Sequence, residues 1–464
     1  MFKNLKKFKN RIALFDLNKE YFYNDFLIKK NFLKRKIRKK NIILIICENK
    51  IEILFYYITF QLLRSLIVLI DYKTSNDEIN KIIKKYKPNL LLTSSTRIKL
   101  LNLKYKEKVD VQNEFCIFRL NSDFILNINK KISILIPTSG SMGSSKFVML
   151  SYENLIDNLK KISNYLNINQ KHKTICNMPI SYSYMISVIH SHIYSGASIF
   201  MTNKSIISRD FWKEFKQYNI CSFNAVPYAY EIINKLKIKN LFNSHVKYLT
   251  QAGGHLNKEI KMNFINNCMK KKIKFYCMYG LTEASPRISY LNPKFLSTKI
   301  DSIGKPLRGY KIKIYDNSNQ LIKKPNKVGK LFLRGKNIFL GYANSKKDFT
   351  KKIKIKPELE TGDLGYKDNE GFYYLTARKK RIAKIFGYRI DLSFLEKKML
   401  ENGYIIYCKE AKEKLKISFN RKYDKNDLIY SLTKFTNIDQ SGFKLNFMKK
   451  LPLNKNYKID RTKV

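Results

Sequence analysis

Between Ile53 and Ser94 the chain alternates twice between a helix-length stretch and a short aliphatic run. ILFYYITFQLLRS leads into LIVLI, closed by Asp71, and NDEINKIIKKYKPN leads into LLLTS. Aliphatic runs without polar alternation read as strands buried on both faces, and helices on both sides of a parallel sheet provide that burial. The predicted fold class is therefore α/β with parallel-rich sheets. Residues Ile53 to Ile70 also approach the length of a membrane span, but Gln61 and Arg64 stand in the middle, where a charge is costly in lipid. No transmembrane segment is expected.

Another buried strand, KISILI, runs into Thr138-Ser139-Gly140-Ser141-Met142-Gly143-Ser144-Ser145-Lys146 and then into a helix-forming segment that reaches Leu155. Glycines and serines let backbone N–H groups converge on an anion, while the hydroxyls and the Lys146 ammonium add donors and charge. At the carboxyl end of a strand, such a loop suits a polyphosphate, hence a nucleotide. It is not the loop of P-loop NTPases, because Phe147 follows Lys146 where a Ser or Thr would hold Mg²⁺. On this segment alone an ordinary Ser/Gly turn is the other reading.

Three more segments follow in order: Tyr279-Gly280-Leu281-Thr282-Glu283; Glu360-Thr361-Gly362-Asp363; and Ala377-Arg378 through Lys384-Ile385-Phe386-Gly387-Tyr388-Arg389-Ile390. A last one, Pro452 to Arg461, contains Lys458. With the Ser/Gly loop, this series resembles the AMP-forming adenylating enzymes: acyl-CoA synthetases, adenylation domains and luciferases. The resemblance runs from about Ile42 to Arg461. It implies a large multi-subdomain ATP- and acid-binding domain over residues 1–378, and a small mobile α+β lid over 379–464 with Lys380 as hinge.

The chemistry implied is ATP-dependent acid–thiol ligation. A carboxylate oxygen attacks the α-phosphate of ATP, pyrophosphate leaves, and a thiol of CoA or of a phosphopantetheinyl carrier protein then displaces AMP. By resemblance, Thr138 to Lys146, including Ser139, Gly140, Ser141 and Gly143, would hold the β- and γ-phosphates. Thr282 would contact the α-phosphate, Glu283 would hold Mg²⁺, and Asp363 and Arg378 would approach the ribose. Tyr279, Gly280 and the Gly253-Gly254 turn would flank the adenine. Lys458 would reach the carboxylate and α-phosphate, and Lys384 would face the site in the second half-reaction. Without the flanking Pro452, Ile459 and Arg461, Lys458 would read as one more lysine of a basic tail.

The acid is less constrained. Tyr182, Asn224, Val226 and Gly254 are expected to shape its pocket, although aromatic residues there would also serve as packing. The region Met178 to Tyr184 lacks the Asp that binds an α-ammonium, which disfavours amino acids. Several positions depart from the family pattern: Met142, Ser145 and Phe147 in the loop, Ala377 before Arg378, and Tyr457 before Lys458. They leave open a catalytically degenerate nucleotide-binding relative.

Composition excludes less than it first indicates. Lys+Arg 91 against Asp+Glu 36 gives a net charge of +55, which taken alone points to nucleic acid. The basic residues are spread through every segment beside abundant Ile, Asn, Tyr and Phe, and no nucleic-acid motif is present, so a basic nucleic-acid binder ranks behind the ligase. The charge is read as compositional drift that would still attract an acidic acyl carrier protein. The densest cluster, Lys29 to Lys40, reads as a solvated helix face. Seven cysteines without a CxxC pair argue for a reducing, cytoplasmic setting without a disulfide framework or zinc site. MFKNLKKFKN does not read as a signal peptide. His190 and His192 are read as helix packing in preference to a ligand pair.

Overall fold

The aliphatic runs form the parallel heart of an eight-stranded sheet. In the computed structural model, which describes residues 4–37, 41–122, 128–137, 147–238, 240–353, 356–378, 382–411 and 413–449, the strands Ile132–Pro137, Leu66–Asp71, Ile42–Cys47 and Leu90–Ser94 lie side by side and parallel. Antiparallel strands extend both edges. All of Ile42–Cys47 is buried. Ile43, Ile45 and Cys47 join the core that contains the helix Ile51–Leu62, whereas Ile42, Leu44 and Ile46 join the core on the opposite face with Ile79, Ile82 and Tyr86. With each fully buried Leu or Ile contributing about 1.5–3 kcal/mol, this double burial explains why the run tolerates no polar residue.

The stretch with membrane-like apolarity is a core helix followed by a strand. Every residue of Ile51–Leu62 except the last is buried; Phe55 stacks on Phe26, and the buried Gln61 accepts a hydrogen bond from Ser133 at 3.0 Å. Arg64, at φ 55°, turns the chain into Leu66–Asp71. Among the described residues, no helix is long and apolar enough to cross a membrane.

A second sheet of thirteen strands carries the parallel strands Ile12–Phe15, Ser198–Met201, Lys173–Cys176, Ser222–Ala225, Tyr248–Gln251 and Lys274–Gly280. It then continues antiparallel through Arg287–Leu291 and Ser302–Pro306 to Tyr373–Arg378 and Leu359–Lys367. One core joins the two sheets through the helices Ile51–Leu62, Tyr152–Leu166 and Ser183–Tyr194. After residue 382 come a hairpin, Ile382–Ile385 with Tyr388–Asp391, and a three-stranded sheet with the helices Leu392–Glu401 and Lys425–Thr436. They enclose a separate core around Ile385, Leu395, Met399, Ile417 and Leu432, all of whose residues lie after 382.

The basic segment from Lys29 is solvated only in part. Lys34, Arg35 and Lys36 are exposed on the helix Tyr23–Lys36, but Lys29 pairs with Asp110 at 2.8 Å and is largely covered. The sequence could not show that a strand 80 residues later supplies a carboxylate.

His190 and His192 are packed into the core as read. Tyr57 OH meets His190 Nε2 at 2.7 Å, while His192 bonds the Val188 carbonyl at 2.7 Å and Tyr248 OH at 3.0 Å. Burial pushes both imidazoles down to about 3. Above the usual value of 6.5 both states of the chain hold neutral imidazoles; as pH falls below it, the unfolded chain binds protons that the folded one refuses. Stability is therefore expected to fall from about pH 6.5 towards 3, by up to about 1.4 kcal/mol per pH unit per histidine. Urea midpoints measured from pH 7 to 5 for wild type and His192→Gln check this, and the variant should show the shallower slope.

Candidate functional site

The carboxyl ends of three adjacent parallel strands converge, as expected where such sheets bind ligands. Ser222–Ala225 delivers Val226, Tyr248–Gln251 delivers Gly253 and Gly254, and Lys274–Gly280 delivers Tyr279, Thr282 and Glu283. Gly253 has φ +92°, and a Cβ there would stand 2.7 Å from Tyr182 OH, so only glycine admits this approach. Asn224 does not join the lining. Its amide is buried in a network with Thr174 Oγ1 (3.0 Å) and Thr250 Oγ1 (2.7 Å) beneath the strand ends, and the next residues, Ala225 and Val226, face the cavity.

The connection after Gly280 is clamped by side-chain amides. Asn337, fully buried, donates to the carbonyls of Ala284 (2.9 Å) and Arg287 (3.2 Å), and its own carbonyl accepts from Ser285 Oγ at 2.8 Å. Asn158 donates to the Arg287 carbonyl at 2.8 Å. Asn154, in the capping box with Ser151, holds the carbonyls of Lys336 and Ile338, and Phe339 N–H bonds the Glu283 carbonyl at 2.9 Å. These contacts hold Thr282 and Glu283 in place. Ser183 Oγ lies 3.1 Å from Thr282 Oγ1, and Tyr342 OH donates to Glu283 Oε1 at 2.9 Å. Tyr279 OH donates to Asp363 Oδ2 at 2.5 Å, so the two are bonded to each other at the rim of one cavity.

Two cavities meet here. One, of about 790 Å³, is lined by Gly253, Gly254, Tyr279, Gly280, Asp363 and Lys384 among others. The second, of about 380 Å³ and mostly apolar, reaches Thr282, Ser183 and Tyr182 between Ile70 and Met178 on one side and Ile390 and Leu395 on the other. Val226, Tyr228, Phe386 and Gly387 line both. Phe386 and Gly387 form the two-residue turn of the Ile382–Asp391 hairpin with φ 50° and 84°, a type I′ pattern. A bulky residue at φ 50° is costly. Phe386 holds that position with its ring 4.6 Å from that of Tyr228.

Charge is unevenly placed around the larger cavity. Glu231 from one wall opposes Glu413 from the other, and burial together with that second carboxyl lifts Glu231 to about 7. Burial also raises Glu410, whose Oε1 accepts the Lys384 N–H at 3.3 Å. Among the described residues, no group of three or more His, Cys, Asp or Glu could hold a metal ion. One carboxylate, Glu283, suits Mg²⁺ that takes its other ligands from phosphates and water.

Thr138, Ser139, Gly140, Ser141, Gly143, Lys146, Lys380 and Lys458 lie outside the described residues. Arg378 is placed by its backbone, paired with Asp363 across adjacent strands. Sequence reading missed Ser183, Tyr342, Phe386 and the three clamping asparagines. Only Asn154 carried a signal, as the third residue after Ser151 in a capping pattern.

The chain belongs to the family of AMP-binding enzymes, whose sequence pattern matches residues 2–343. Among its relatives, oxalate–CoA ligase of Saccharomyces cerevisiae is 26% identical over 71% of this chain and 62% of that protein. The 2-succinylbenzoate–CoA ligase of Bacillus cereus (strain AH820) is 26% identical over 65% of this chain and 58% of that protein. Both matches thus span about three fifths of the relative's length. The o-succinylbenzoate CoA synthetase of Bacillus subtilis, a double mutant bound with its product analogue, superposes with a TM-score of 0.80 at 20% identity, over 99% of this chain and 96% of that one. The same synthetase with its acyl-adenylate intermediate gives 0.67 at 20% identity, over 97% and 94%.

Replacing Asn337 by Ala removes two donors from buried carbonyls. It is expected to cost about 2–3 kcal/mol, read as a lower urea midpoint at unchanged slope.

Proposed function

We propose that this chain is an ATP-dependent acid–thiol ligase. The observation that carries the reading is the meeting of the polar and apolar cavities at Val226, Phe386 and Gly387, beside Thr282 and Glu283. The nucleotide occupies the larger cavity, its ribose hydroxyls donating to Asp363, with Arg378 beside the ribose and Tyr279 and the Gly253-Gly254 turn along the adenine. The loop Thr138 to Lys146 closes on the β- and γ-phosphates. Glu283 anchors Mg²⁺, which would offset phosphate charge when bound, and Thr282 donates to the α-phosphate. The acid lies between Tyr182, Val226 and Gly254.

In the first half-reaction a carboxylate oxygen bonds to the α-phosphorus and the bond to the bridging oxygen of pyrophosphate breaks. Nearly all the groups involved are anionic, so the protein's work is positioning and neutralising charge. Lys458 supplies that charge from the carboxyl-terminal domain (379–464), which pivots at Lys380 against residues 1–378. In the second, a thiolate bonds to the acyl carbon and AMP leaves. The apolar channel, walled by residues on both sides of the hinge, fits the slender arm of CoA or of a phosphopantetheinyl carrier protein. The better superposition on the product-analogue complex supports assigning the present arrangement to this second step. The cytoplasm, where ATP and CoA are available, is the proposed compartment.

Carboxylate-dependent ATP–pyrophosphate exchange across fatty, aryl and hydroxy acids tests the reading: exchange with one class supports it, and silence across all of them despite ATP binding overturns it. Lys458→Ala is expected to lower exchange by on the order of 10²-fold; a variant as active as wild type would remove Lys458 from the mechanism. Lys384→Ala should slow thioester formation from preformed acyl-adenylate by about 10-fold or more, with a much smaller effect on exchange.

A further inference from the structure

Arg287 is a buried cation that the chemistry above does not use. It is 2% exposed, and none of the ion pairs formed among the described residues includes it. Its Nε is buried without a hydrogen-bond partner. The guanidinium carbon lies 4.8 Å from the centre of the Tyr184 ring, and Tyr165 is close enough for the positive charge to oppose the rise that burial causes in both phenols. Those phenols donate elsewhere: Tyr184 OH to the Thr250 carbonyl at 3.0 Å, and Tyr165 OH to Met278 Sδ at 2.9 Å. Aromatic faces stabilise a cation, but they do not replace the hydrogen bonds and counter-charge that a desolvated guanidinium lacks.

Its position is as informative as its solitude. Arg287 pairs with Gly280 across the antiparallel strands that bracket Thr282 and Glu283. Gly280 can have no side chain, because a Cβ would fall 1.7 Å from the Pro286 carbonyl oxygen. Consecutive residues of one helix address the two ends of this segment: Ser183 touches Thr282 and Tyr184 lies against Arg287. An acid whose reacting carboxylate sits at Thr282 thus has a fixed positive charge a short reach behind it. Burial excludes a macromolecular anion, and the phosphate-binding elements belong to other segments.

We infer that Arg287 is a specificity-determining residue that receives a second carboxylate on the acid, so that the preferred substrate is a dicarboxylic acid activated at one end. This rests on the ligase reading above. A bidentate guanidinium–carboxylate pair would satisfy the unpartnered donors and make the site discriminate by charge, since a monocarboxylate leaves the cation unpaired.

The test is pyrophosphate exchange with acid pairs that differ in the second carboxylate: succinate against butyrate, adipate against hexanoate, and 2-succinylbenzoate against 3-benzoylpropionate. Wild type is expected to prefer the diacid of at least one pair by about 30-fold or more in kcat/KM. Arg287→Met should bring that ratio to within about threefold of unity and Arg287→Lys should restore part of it, whereas a purely structural role would leave the ratio intact. Thermal melting controls for folding: Met in place of an unpaired buried charge should leave Tm unchanged or raise it. Equal activity with both members of every pair, or a preference that survives Arg287→Met, overturns the inference and leaves the ligase reading standing. Silence with every acid overturns both.

Discussion

Side-chain amides hold the turn on which this site depends. The segment from Leu281 to Arg287 joins two strands, so its carbonyls have no ladder to enter, and buried carbonyls without partners are costly. Asn337 and Asn158 satisfy them from two distant parts of the chain, and Asn154 secures the segment that carries Asn337. Thr282, Glu283 and Arg287 are each placed by this lattice. The asparagines touch no proposed ligand, yet they decide where the ligand-facing groups stand.

The junction of the two cavities is a second constraint with a visible cost. A left-handed phenylalanine at position 386 is retained where Asn or Gly would suit the turn better, and its ring lies against Tyr228. The hairpin tip therefore closes against the strand ends through a residue chosen for contact. Glu231 and Glu413 face each other across the same seam, and their mutual repulsion opposes that contact unless they share a proton. Apolar closure balanced by carboxylate repulsion suits a seam that must open and close.

Net charge says little about the site. Most of the excess lysine is on the surface, and the densest cluster is partly neutralised by Asp110. One cation, Arg287, is enclosed by aromatic rings. Counting charges from composition does not distinguish these situations, because the distinction is desolvation.

Local pattern was enough for the elements. Double burial of Ile42–Cys47 and Leu66–Asp71 demands aliphatic runs, and such runs are legible as parallel strands; polar Gln61 and Arg64 mark the end of a core helix that resembles a membrane span in composition. Motif order made the family and its expected residues legible, including Tyr279, Thr282, Glu283 and Asp363. Only the tertiary structure brought Tyr279 to Asp363 and Tyr342 to Glu283, drew Asn224 back beneath the strand ends, set Phe386 at the seam and left Arg287 without a carboxylate. Periodicity and spacing report how neighbouring residues share a face. Hydrogen bonds and charge pairs between residues 50 to 180 positions apart depend on which strand ends and helices the fold brings together, and a single sequence does not record that geometry.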